Sequence, residues 1–287
     1  MPQIADGGGW RTRLVLVNPT GEVITGEFRP YAQNGQPLTL TLNGKTASVF
    51  DYSLPPSGAA SFQSGGVQSG VQVGSVRVDP TMSSPTVFAM FGYSVNGIRG
   101  TGATSLANGS GGQVMSVFVE SEGNLGAPGS IQSGIAVTNS GLVEPTYLHF
   151  ELYQPDGTLV GMSKDISIPA HWQSAMFLSE IPGLPPIPSS FEGTLRVVSS
   201  ANRFSTSGVS VTGLRARFSE RDEFLSTATP PISEVFFTTS PELLFPHLAV
   251  GGDYSAEFVL FSDDGASGTV NFFDQKGNQL SLPSSAR

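Results

Sequence analysis

The sequence predicts an all-β protein made of tandem antiparallel β-sandwich modules, two complete and one partial. Three observations carry this: a strand pattern that recurs, a turn that follows each copy, and no stretch of helical periodicity. The pattern of residues 5–38, ADGGGWRTRLVLVNPTGEVITGEFRPYAQNGQPL, returns at 133–159 and again at 249–280. Asn18 and Asn139 are 121 positions apart (139 − 18), and Gly35 and Gly277 are 242 apart (277 − 35), twice that spacing. No segment of ten or more residues places apolar side chains at i, i+3, i+4 and i+7 without Gly or Pro.

Each copy opens on an alternating run. Leu14 and Leu16 share one face, as do Ile135 and Val137, then Phe258 and Leu260. Successive side chains on a strand point to opposite faces, so this alternation marks a strand with one buried side. The next run repeats it: Leu148, Phe150 and Leu152 point one way, His149 and Glu151 the other. The two runs read as antiparallel strands. Leu14, Leu16, Phe28, Ile135, Val137, Phe150, Leu152, Phe258 and Leu260 are expected in the core. Asn34-Gly35, Asp156-Gly157 and Lys276-Gly277 follow the second run. A tight hairpin needs positive φ near its centre, which glycine adopts without steric cost.

The first module spans residues 1–106. After the opening runs, LTLTLNGKTASVFDYSLPPSG reads as two short strands around Asn43-Gly44, and Gly74–Val78 and residues 87–100 supply later ones. Seven or so short strands separated by turns indicate a sandwich. LANGSGG, residues 106–112, reads as a linker. The second module, 107–229, opens with QVMSVFVES and repeats the landmarks. Leu54-Pro55 returns as Ile168-Pro169, and Gly74-Ser75-Val76-Arg77-Val78 as Gly193-Thr194-Leu195-Arg196-Val197. FLSEI suits one helical turn, and the Pro-rich IPGLPPIPSS after it cannot pair inside a sheet. ATPPIS, residues 228–233, reads as a second linker. The partial third module, 230–287, holds the strand EVFFTTS and the hairpin, without counterparts of the later strands.

The 287 residues are too many for one compact sandwich and suit two or three domains. Charged residues make up 13% of the chain, against a usual fraction of about 25%, so Ser and Thr cover much of the surface. A net charge of −9 argues against nucleic acid, whose phosphates require a basic face. It argues equally against an electrostatic membrane anchor. No apolar run approaches the ~20 residues of a membrane helix, so no membrane insertion is expected. There is no Cys, which removes disulfides, thiol catalysis and thiolate metal sites. A Cys-free, Ser/Thr/Gly-rich β-protein fits a secreted or cell-surface location in a bacterium. MPQIADGGG is not a signal peptide. Pro2–Trp10 matches Pro246–Tyr254 inside the third copy, which places any export signal upstream.

The search for chemistry returns no catalytic residue, cofactor site or metal site. His149, His171 and His247 have no second His within metal-ligand spacing. H-E-x-x-H, G-x-S-x-G and the P-loop are absent. Gly7-Gly8-Gly9 precedes a strand, so it reads as a tight bend or bulge and not as a phosphate cradle. Asp263-Asp264 and Asp156 supply too few oxygens for calcium. Arg77 with Arg196, and Arg99 with Arg215, recur at matched places and read as structural. Most aromatic residues recur at core-like places. Trp172, in PAHWQS, stands opposite Gly58 and has no aromatic counterpart. It is the candidate ligand contact, with surface glycans as the ligand.

The run IADGGGWRTRLVLVNPTGEVITGEF, with NGQPL after it and SLPPSG further on, resembles a tandem repeat of large secreted bacterial proteins. The resemblance implies immunoglobulin-like sandwich modules, a surface location and a scaffold or adhesive role, with no catalytic residues. The second module departs from it, having no GGG entry and Asn139-Ser140 in place of Asn18-Pro19.

The expected function is therefore a non-enzymatic extracellular structural or adhesive protein whose partners are other copies of itself or neighbouring repeats. The third module would leave an apolar face unpaired. Val235, Phe236, Phe237, Phe258, Leu260, Val270 and Phe272 are the candidate assembly residues, completed by another copy into a filament. The alternative is a carbohydrate-binding array attached to an exported enzyme.

Overall fold

The computed structural model describes residues 1–95, 98–99, 103–106, 114–139, 141–200, 209–221, 223–234, 242–252, 256–262, 265, 267–274 and 276–282. These residues are all-β with antiparallel sheets, broken by one 3₁₀ turn at Leu178–Glu180, the site of the helical turn read in FLSEI. The chain divides into two compact units, Met1–Thr239 and Ser240–Arg287.

The first unit begins with β1 (Ile4–Asp6), β2 (Trp10–Val17), β3 (Ile24–Ala32), β4 (Leu40–Leu42), β5 (Lys45–Ala47) and β6 (Phe50–Leu54). It continues with β7 (Ala59–Gln63), β8 (Gln72–Pro80), β9 (Thr86–Val95), β10 (Ile98–Arg99) and β11 (Ala103–Leu106). One sheet runs β1-β8-β3-β6; the other runs β10-β9-β2-β7, with β11 also on β9. So β2 and β3 do not pair with each other, contrary to the antiparallel pair expected from their adjacency. They lie in opposite sheets and press Leu14, Leu16 and Phe28 into one core from its two sides. Alternation reveals which face of a strand is buried, not which sheet the strand joins.

The arch from β2 to β3 is fixed by Asn18, which is 1% exposed. Its Nδ2 donates to the carbonyls of Glu22, Leu54 and Pro55, and its Oδ1 accepts from the Thr20 N–H. Asn139 does the same in the second sandwich, donating to Glu144 and Ile168 and accepting from Gly141. Removing the amide strands buried carbonyls, each worth about 1–3 kcal/mol. Asn18→Ala is therefore expected to lower the stability of the first sandwich by at least that amount in a chemical-denaturation curve.

Next come β12 (Val114–Glu122), β13 (Ile131–Asn139), β14 (Thr146–Tyr153), β15 (Leu159–Met162) and β16 (Ile166–Ile168). After them lie β17 (Gln173–Phe177), β18 (Ser190–Ser200), β19 (Val209–Phe218), β20 (Phe224–Thr229) and β21 (Ile232–Ser233). The order β12-β18-β14-β16 reproduces β1-β8-β3-β6, and β17-β13-β19-β20 reproduces β7-β2-β9-β11, but here Ser121 and Glu122 of β12 also pair with Gln132 and Ile131 of β13, which joins the two runs into one ten-stranded sheet. A second core forms around Ile135, Val137, Phe150, Leu152 and Leu195, separate from the first. The reading of 228–233 as a linker needs correction. Ala228 and Thr229 finish β20, and Ile232–Ser233 pairs with Met115 and Ser116 of β12. Pro230-Pro231 alone lies between them, because proline can neither donate to a ladder nor continue a central strand. The linker read at 106–112 lies mostly outside the described residues.

In the second unit, β22 (Phe272–Phe273) pairs with β23 (Gln279–Leu280). Local geometry repeats here. Gly251 and Gly252 have φ of 96° and 58°, against 84° and 57° at Gly7 and Gly8. The three hairpins share one hydrogen-bond scheme: Gly35 N–H to Ala32, Gly157 to Gln154, and Gly277 to Asp274. Phe258 and Leu260 depart from expectation. Phe258 is half-buried and Leu260 is 61% exposed. The alternating pattern gave these residues an apolar face, but among the described residues of this unit no second sheet packs against it.

Candidate functional site

Three places were marked by the sequence or emerge from the fold: the apolar surface of the second unit, the joint around Trp172, and a charged sheet face.

On the second unit, Val270 is 53% exposed and Leu260 is exposed as well. Phe258 and Phe272 are half-buried. The ring of Phe258 lies 4.7 Å from that of Phe245 and 6.3 Å from that of Phe272. Leu243, Leu244 and Phe273 are exposed as well. So the named residues 258, 260, 270 and 272 belong to one unit rich in uncovered apolar side chains. Val235, Phe236 and Phe237 lie outside the described residues. Exposed apolar side chains gathered into one patch mark an interaction site or an association hazard.

Trp172 lies on the loop after β16, against the hairpin of residues 32–36 that follows β3. Its loop follows β16, and His171 takes φ of 64°, as Ser57 takes 55° at the matched place in the first sandwich. The Trp172 N–H donates to Pro169 and its carbonyl accepts from Asn139, so the loop is pinned at both sides of the indole. The ring lies against the Asn34-Gly35 hairpin: a Cβ on Gly35 would stand 2.7 Å from Trp172 Cδ1. Its neighbour His171 stacks on Tyr31, centroids 4.7 Å apart and planes within 5°. Gln173 N–H donates to the Gln33 carbonyl at 3.1 Å, and Gln173 Nε2 to Gln3 Oε1 at 2.5 Å. Trp172 nonetheless keeps 44% of its surface exposed. A second contact joins the sandwiches through Phe224 of β20, whose ring lies 5.8 Å from Trp10 and 5.4 Å from Tyr93.

The third place is the outer face of β14 and β18. Arg196 bonds Glu151 Oε2 at 2.5 Å and Glu234 Oε2 at 2.6 Å, and lies over the ring of Tyr153. Ser116 Oγ donates to Glu234 at 2.5 Å. Burial opposes ionisation of Glu234, yet bonds from Arg196 and Ser116 outweigh it and hold the carboxyl below its ordinary range. Glu234 thereby ties the segment after β20 back to β18. The first sandwich carries a parallel arrangement in which Arg29 and Arg77 both bond Asp79. Arg29 with Asp79 and Arg196 with Glu151 pair across neighbouring strands, and Arg77 with Asp79 along β8, which suits a structural role for Arg77 and Arg196. Arg215 likewise pairs with Glu120. The Arg99 side chain lies outside the described residues.

His149 faces outward as expected, 3.3 Å from Glu151 Oε1. Among the described residues no group of three or more His, Asp or Glu is placed to hold a metal ion. The sequence reading missed the roles of His171, Tyr31 and Phe224. One signal was present: the His171-Trp172 pair faces Ser57-Gly58 in an otherwise matched loop.

No family model, no curated protein and no solved structure matches the chain.

Proposed function

We propose that this chain is a non-enzymatic, extracellular structural or adhesive protein. In this reading it has two complete immunoglobulin-like modules, 1–106 and 107–229, and a partial third, 230–287, through which copies self-assemble. Matched strand orders in 4–106 and 114–229, and the three hairpins with one bonding scheme, support the modular reading. A single observation carries the assembly: Leu260 and Val270 are more than half exposed, whereas Leu16 and Val137, on strands of the same repeated pattern, are fully buried. Burying one such side chain is worth roughly 1.5–3 kcal/mol, so a second copy that covers several of them gains a large association energy. A contact between the third module of one copy and a different face of the next does not close on itself and propagates into a filament.

Electron microscopy tests this reading. The concentrated 287-residue chain is expected to form extended assemblies, and a chain lacking residues 240–287 is not. Assemblies that persist unchanged after the deletion contradict it.

The half-exposed Trp172 supports the alternative, a carbohydrate-binding module array of an exported enzyme. Saturable binding on a glycan array that disappears in Trp172→Ala favours that alternative.

A further inference from the structure

Among the described residues, the two sandwiches of the first unit meet at two points of different chemistry. One is apolar and aromatic: Phe224 against Trp10 and Tyr93, with Ala228 packed on the first core. The other carries an ionisable ring, His171 flat on Tyr31, with Trp172 seated on Gly35 and Gln173 bonded to Gln33 and Gln3 beside it. We propose that the His171–Tyr31 contact is a proton-operated latch: when the imidazole is neutral the joint is held at both points, and when it is protonated the hairpin arm releases and the sandwiches hinge about Phe224.

The surroundings of the ring set the direction. Tyr31 lies on β3 and Arg77 on β8, and Asp79 of β8 is engaged by both Arg77 and Arg29. A positive charge placed on His171 would thus meet a cation, Arg77, while the carboxylate of Asp79 is already shared between two guanidinium groups. Parallel stacking also covers the ring face and removes water from it. Burial first, and then the Arg77 charge, push the imidazole below its ordinary value; the Leu142 carbonyl and Asp79 oppose this without overcoming it. A base with a lowered pKa in the closed joint contributes fully above its free value, about 6.5. That contribution is lost as pH falls through the lowered value. The neighbouring contact is made by the tilted and edge-on rings of Trp10, Tyr93 and Phe224.

The latch is local in consequence. His171 and Trp172 share one tight loop, so release of the imidazole moves the indole off Gly35. The chain has two tryptophans, so a Trp10→Phe variant reports on Trp172 alone. Its emission is expected to shift to the red, and its quenching by iodide to rise, between pH 7.5 and 5. The midpoint falls below about 6.5, and the far-UV circular dichroism stays unchanged. His171→Gln abolishes the transition, and Arg77→Gln moves its midpoint upward, which a purely structural role for Arg77 would not do. The His171 ring resonance in the unsubstituted chain gives the midpoint independently. Constant Trp172 emission, a transition that persists in His171→Gln, loss of strand signal alongside it, or a ring midpoint at or above that of free histidine each overturns the proposal.

Discussion

Phe150→Ala is expected to destabilise the second sandwich by about 3–5 kcal/mol, the usual cost of truncating a buried phenylalanine. Phe150 is 1% exposed. It sits on β14 opposite Val197 of β18 and shares its core with Leu148, Leu152, Leu195 and Ile135. Its backbone is engaged too: the Phe150 N–H donates to Ser163 Oγ at 2.8 Å, and its carbonyl accepts from the Ser163 N–H at 2.8 Å. Little can collapse into the space, because each neighbour is itself held in a ladder. A denaturation curve with an unchanged midpoint would show that the face assigned to β14 is wrong.

Gly193→Ala is expected to be comparably severe, for the opposite reason. Gly193 pairs with Val119 of β12, and a methyl at this position would run into the carbonyl oxygen of Tyr153. Gly74 occupies the matched place, and a methyl there would meet the carbonyl oxygen of Tyr31. In both, the obstacle is backbone at the end of the strand that leads into the hairpin. Overpacking usually costs about 1–3 kcal/mol, and more where the obstacle cannot rotate away. Loss of about 3 kcal/mol is expected in Gly193→Ala, with Gly157→Ala as a control, since a methyl at Gly157 meets nothing within 4 Å. That control carries only the strain of its φ of 82°. Equal effects of the two substitutions would contradict the assigned crowding.

Much of this fold is local information and was therefore legible. The alternation at Leu14 and Leu16, and at Leu148 to Leu152, fixes the buried face, and those residues are buried. Glycines 35, 157 and 277 mark their turns because each adopts positive φ. What the sequence left open is what lies opposite each face. Nothing in the alternation of residues 10–17 and 24–32 distinguishes one hairpin from two facing sheets. Nothing in that at Phe258 and Leu260 tells whether a second sheet covers them. The pairing of Arg196 with Glu234 spans 38 residues and carries no spacing signature. Trp172 was legible as an unmatched residue, but its seat on Gly35 depends on how two sandwiches dock.

Sedimentation velocity over a wide concentration range tests the central claim, assembly through the second unit, most directly. The unsubstituted chain is expected to give species that grow with concentration. The double substitution Leu260→Lys and Val270→Lys, which leaves both sandwich cores untouched, is expected to give one species of monomer mass throughout. A monodisperse monomer of the unsubstituted chain at high concentration would contradict the account, as would identical growth in the doubly substituted chain.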